Sequence, residues 1–95
     1  MPDQSIIVGG YIETRPGHRD TALAKAREIV LQARRTAGCL EFVVAADPIE
    51  KDRLVTFERW ESEEALAAFR DGGPDDDQAV DFAAIHVHDY MATRR

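Results

Sequence analysis

Apolar residues occupy both sets of alternate positions in three strand-like stretches of this chain: Ile6-Ile7-Val8-Gly9-Gly10-Tyr11-Ile12, Leu40-Glu41-Phe42-Val43-Val44-Ala45 and Leu54-Val55-Thr56-Phe57. Successive side chains of a strand point to opposite faces, so such strands must be covered on both sides. Between the first two the period becomes helical. Ala22, Leu23, Ala26, Ile29, Val30 and Ala33 recur at helical spacing, while Lys25, Glu28, Gln32 and Arg35 lie elsewhere on the wheel. The pattern predicts a strand over 5–14 closed by Arg15-Pro16-Gly17, then a helix from about His18 to Ala37 with Gly38 just past its end. Strands over 39–47 and 53–61 follow, joined by the turn Asp47-Pro48-Ile49-Glu50-Lys51-Asp52. Ser62 caps a short helix with Glu63 and Glu64 in its first turn and Ala65, Leu66 and Phe69 on its apolar side, broken by Asp71-Gly72-Gly73-Pro74. Asp75 is expected to cap further turns containing Ala79, Val80, Ala83 and Ala84, before a last strand near Ile85–Met91.

The resulting order, β-α-β-β-α-β, suits an α+β split-βαβ arrangement: a four-stranded antiparallel sheet with both helices on one face and the first and third strands as central neighbours. Its second face is then open and apolar. A second copy of the chain, packed sheet to sheet, is the expected cover, so a homodimer through the open face is predicted.

The chain of 95 residues is expected to form one domain over 1–95, and its 44% apolar and 32% charged residues are those of a globular protein. No stretch approaches the ~20 apolar residues of a membrane span, and Met1-Pro2-Asp3-Gln4-Ser5 lacks the start of a signal peptide, so no membrane partner is expected. A single cysteine, Cys39, excludes an intrachain disulfide and fits a reducing, cytoplasmic setting. The formal net charge of -6 argues against nucleic acid, which needs clustered Lys and Arg. Arg34-Arg35 complement a helix dipole instead, and Asp75-Asp76-Asp77 read as helix-capping acids.

Three features together carry a resemblance: Arg15-Pro16-Gly17-His18 after the first strand, Ala37-Gly38-Cys39-Leu40 after the first helix, and Phe57-Glu58-Arg59-Trp60-Glu61-Ser62-Glu63-Glu64-Ala65-Leu66. The chain resembles the antibiotic biosynthesis monooxygenase (ABM) domain family of the dimeric α+β barrel superfamily. That resemblance implies a ferredoxin-like protomer, a dimer, and a pocket between sheet and helices. It further implies cofactor-independent oxygenation of a small phenol-, quinol- or anthrone-like aromatic, or haem degradation in one branch. The haem branch uses an asparagine near the first strand and a tryptophan and axial histidine from the second helical region. This sequence has no asparagine, carries Phe69 in that helix and has no histidine between residues 62 and 85. A binding protein without catalysis is the other alternative.

Candidate chemistry rests on few side chains. His86 and His88 stand two apart in the last strand, on one face with Tyr90, and either can take a proton near neutrality. Trp60 and Phe69 are candidates to hold an aromatic ring, and Tyr11 to orient an oxygen. Solvent or a carboxylate such as Glu58 is the alternative proton acceptor. Gly9-Gly10 inside a strand marks a bulge or the close approach of another group, a ligand or the partner sheet. No phosphate-binding glycine motif or metal-ligand cluster is visible, so no cofactor or metal is expected.

Overall fold

A computed structural model describes residues 4–72 and 80–95. The elements run β1 (Gln4–Thr14), α1 (Arg19–Arg34), β2 (Cys39–Ala46), β3 (Arg53–Trp60), α2 (Glu63–Asp71) and β4 (Phe82–Thr93). The four strands form one antiparallel sheet in the order β2-β3-β1-β4, which makes β1 and β3 central neighbours, as a ferredoxin-like protomer requires. The turns expected after Asp75 fall, as far as Ala79, outside the described residues. Past them, the expectation of helix is corrected: Val80 and Asp81 make a 3-10 turn, and Ala83 and Ala84 already belong to β4. Alanine has no strong preference against a strand edge, and pairing of Ala84 with Glu13 decides its state.

Both helices cover one face of the sheet. α1 buries Ala22, Ala26 and Ala33, whose small side chains let the helix axis approach β2 closely. α2 is capped by Ser62, whose Oγ accepts the Ala65 N–H at 3.1 Å, and it buries Leu66 and Phe69. From the sheet, Ile6, Val8, Phe42 and Trp60 join Ala33, Leu66 and Phe69 in one core cluster. Trp60 is fully buried, with Phe69 tilted against it at 5.1 Å between ring centroids. The even positions of β1, β2 and β3 thus face the helices, and pairing places Ile85, Val87, Asp89 and Met91 of β4 on that side.

Two bulges break this alternation. β2 skips Leu40, so Cys39 pairs with Trp60 while Glu41 pairs with Arg59. β4 skips Ala83, so Phe82 pairs with Thr14 while Ala84 pairs with Glu13. A one-residue insertion turns the flanking side chain to the other face. Phe82 therefore points to the helix side, although it has the same parity as Ala84 and His86.

A buried carboxylate fastens the start of β4 to the start of α1. Asp81 accepts from His18 Nδ1 at 2.9 Å and from Lys25 Nζ at 3.0 Å, and its backbone carbonyl accepts the Arg15 N–H at 2.9 Å. His18, then Lys25, holds its carboxyl below the usual carboxylate range.

Glycine is required at two positions. At Gly38 φ is +89°, and a Cβ would strike the Ala65 Cβ beneath α2. At Gly10 φ is +147°, and a Cβ would run into the backbone carbonyl of His86. Gly10→Ala is expected to destabilise the fold by about 1–3 kcal/mol from backbone strain alone, and further by displacing β4 from β1. Equilibrium urea unfolding measures this, and a wild-type midpoint would contradict it.

Candidate active site

The sheet divides the residues that the sequence nominates. Tyr11, His86 and His88 lie together on the open face, whereas Trp60 and Phe69 lie under the helices. On the open face the Tyr11 and His86 rings stack at 4.6 Å, with the Arg53 guanidinium 4.0 Å from the Tyr11 centroid. His86 Nε2 stands 3.3 Å from Glu13 Oε2. His88 lies in the next row, with Gly9, Phe57 and Val43, and its ring meets Tyr90 edge-on at 6.5 Å. Phe57, Val43, Val55 and Tyr90 are all exposed there. This side is a patch of apolar and charged side chains.

The concave site is on the other side. A cavity of 230 Å³ lies between the sheet and the helices, walled by Phe42, Leu54, Phe69 and Phe82 together with the small and aliphatic residues of α1. Its polar groups are Thr56, Glu58 and Arg70. Thr56 and Glu58 lie between buried Leu54 and Trp60 at the same parity along β3, which fixes them inward. Thr56 Oγ1 is buried without a hydrogen-bond partner among the described residues. Glu58 Oε1 accepts the Trp60 Nε1–H at 2.9 Å. Burial pushes the Glu58 carboxyl above its ordinary value; Asp89 adds to that, while the Trp60 hydrogen bond and Arg70 act against it. A carboxylate in this state is a stronger base than one in water.

Arg70, in the last turn of α2, makes two hydrogen bonds of 2.8 Å each to the carboxylate of Asp89 on β4. The pair holds Asp89 below its usual range. Beyond it a second, open depression of 410 Å³ runs between α2 and β4, past Leu66, Asp89 and Met91. Arg70 borders both spaces, and Asp89 only the outer one.

Trp60 does not line the cavity but supports Glu58 from behind, whereas Phe69 forms part of the wall. Thr56, Arg70 and Phe82 are among the lining residues that sequence reasoning did not nominate. Thr56 and Glu58 had a legible signal, since both share the parity of Leu54 and Trp60 on a strand that is apolar on both faces. Cys39 is half-buried against the core, and burial raises its thiol pKa, as expected of a packing residue. No three His, Cys, Asp or Glu side chains gather in metal-ligating geometry among the described residues. No helix there is long and apolar enough to cross a membrane.

Fold and cavity define an α+β protein of ferredoxin-like topology with a mostly apolar cleft that holds one carboxylate and one cation. The family model for antibiotic biosynthesis monooxygenase (ABM) matches residues 5–83, and the chain belongs to that family. Among solved structures it is similar to a candidate antibiotic biosynthesis monooxygenase from Chloroflexus aurantiacus J-10-fl, with 26% identity, coverage of 95% of this chain and 93% of that one, and a TM-score of 0.73. A candidate of the same designation from Deinococcus radiodurans is 20% identical, with coverage of 96% and 94% and a TM-score of 0.78. A conserved Bacteroides thetaiotaomicron protein, described as a possible oxidoreductase, is 14% identical, with coverage of 97% and 99% and a TM-score of 0.78. No curated protein matches the sequence.

Proposed function

We propose that the protein is a monooxygenase that uses no cofactor and acts on a one-ring or small two-ring phenol or quinol bound in the cavity. The observation that carries this is Glu58, a carboxylate with a raised pKa in a mostly apolar cleft. Membership of the ABM family supports the reaction class. The volume of 230 Å³ supports the substrate size, since an apolar cavity of about 150 Å³ holds benzene.

Dioxygen in its triplet ground state reacts slowly with closed-shell molecules, and a phenolate gives up an electron far more readily than a phenol. Glu58 takes the phenolic proton, the phenolate passes one electron to dioxygen, and the two radicals join at a ring carbon ortho or para to the oxygen that still carries a hydrogen, the para carbon in a simple phenol and the ortho carbon in a quinol. Loss of water from the resulting peroxide leaves a carbonyl there. One oxygen atom enters the product and the other leaves as water with the two hydrogens removed from the substrate. The substrate supplies all four electrons, so no further reductant is needed. The apolar walls limit the contact of the anion with bulk water, and Thr56 Oγ1, buried without a partner among the described residues, can donate to an oxygen.

Oxygen uptake tests the proposal. A preparation stripped of metal and flavin should consume one dioxygen per quinol, with no hydrogen peroxide released. Binding without uptake would favour a binding protein, and turnover only on adding flavin or metal would contradict the mechanism.

We further propose that the active form is a homodimer joined through the open sheet face, because Val43, Val55, Phe57 and Tyr90 leave that face apolar and exposed. Sedimentation equilibrium at micromolar concentration should give about twice the 10.6 kDa chain mass. A folded monomer would refute this.

A further inference from the structure

A carboxylate base alone is a poor partner for a phenol. An ordinary phenol ionises near pH 10 and a glutamic acid near 4.3, so direct transfer is opposed by about 6 units, or about 10⁶ in equilibrium constant. Burial of Glu58 narrows that gap from one side only. Closing it from the other side requires positive charge at the phenol oxygen. Arg70 is the one cationic side chain among the described residues that line the cavity.

We propose that Arg70, locked in place by Asp89, is the residue that binds the ionised oxygen of a phenolic ligand in the cavity. This rests on the cavity being the ligand site and names the group that selects phenols for it. The geometry supplies what the role needs. Asp89 engages two of the five N–H donors of the guanidinium, and three remain for an incoming oxygen. Asp89 borders the outer depression and not the cavity, so its charge lies on the far side of the guanidinium from the ligand. Without Asp89, a half-exposed arginine at a helix end would sample many rotamers. The two 2.8 Å bonds hold it at the cavity wall.

The charged groups around the phenol oxygen are then Arg70 and Glu58 in the cavity, with Asp89, Glu63 and Asp71 in the outer depression. Transfer of the proton to Glu58 moves one negative charge from the carboxylate toward Arg70 and leaves the net charge of the cluster unchanged. The reaction therefore draws no new charge into an apolar chamber.

Visible titration of 4-nitrophenol, whose anion is coloured, reads this directly and needs no turnover. Bound to the wild-type protein, the probe should reach half-ionisation about 1–3 pH units below its value in buffer. Arg70→Met should abolish the shift, Arg70→Lys should keep part of it, and Asp89→Asn should reduce it while leaving Arg70 present. An unshifted or raised ionisation in the wild type, an undiminished shift in Arg70→Met, or failure of the probe to bind would overturn the assignment. Should Arg70→Met not fold, as circular dichroism would reveal, an undiminished shift in both Arg70→Lys and Asp89→Asn would overturn it as well. A lowered ionisation without oxygen uptake on any quinol would uphold Arg70 and refute the oxygenase proposal, which separates the two.

Discussion

Glu58→Gln is expected to lower turnover of a phenol or quinol by about 10²-fold or more, the scale of general-base catalysis, while leaving the fold as stable as the wild type at neutral pH or more so. The two effects part company because of the sign of the pKa shift. Burial raises the Glu58 carboxyl above 4.5, so the folded chain holds this proton more tightly than the unfolded chain does. Its contribution to stability is fully present below the unfolded pKa and is lost as pH rises through the raised, folded value. Catalysis needs the opposite form, the free carboxylate, so activity should rise with pH across the window in which stability falls. Glutamine keeps an amide oxygen to accept the Trp60 Nε1–H and removes the charge that burial disfavours. Steady-state kinetics over pH, with thermal unfolding of both proteins in the same buffers, checks both slopes. His86→Ala and His88→Ala serve as controls on the open face, and a 10²-fold loss in either with full activity in Glu58→Gln would move the base to that face.

The architecture could be read from the sequence because each element had a local signal. Double-sided apolar strands, the alanine-rich stripe of α1 and the Ser62 cap all appear where the pattern put them, but α1 ends at Arg34 and not near Ala37, so Gly38 takes its positive φ in the turn into β2 rather than just past the helix. The site was less legible. Parity along a strand says which residues share a face but not which face the helices cover. His86, His88 and Tyr90 share a face as their spacing requires, Tyr11 lies beside them and not beside Trp60 and Phe69, and the sheet divides what the sequence reading combined into one site. Two further residues depended on features without any local signal. Phe82 reaches the cavity only because a bulge at Ala83 reverses its side, and Arg70 owes its place there to Asp89, 19 positions away in the chain. The Glu58 carboxylate did have a signal, an acid between two inward positions of a strand that is apolar on both faces. Acids are almost never buried without a partner or a task.

Trp60→Ala should cost about 3–5 kcal/mol, a large part of the ~5–15 kcal/mol by which a domain of this kind is stable. The indole is fully buried, its pairing with Ile6 and Cys39 places it under α2, and Phe69 packs on its face, so no neighbouring side chain is free to fill the space. From the sequence Trp60 is a candidate either for a buried anchor or for stacking on a ligand, and in the second role a change to phenylalanine would raise KM. Its observed place predicts something else for Trp60→Phe. The phenyl ring retains much of the packing but cannot donate to Glu58 Oε1, and that hydrogen bond is the largest influence opposing the effect of burial on the carboxyl. Without it the Glu58 pKa rises further. The rise of kcat with pH should therefore move to higher pH in Trp60→Phe, with KM little changed and some activity recovered in alkaline buffer. An altered KM with an unmoved pH profile would return Trp60 to the ligand and leave Glu58 without its anchor.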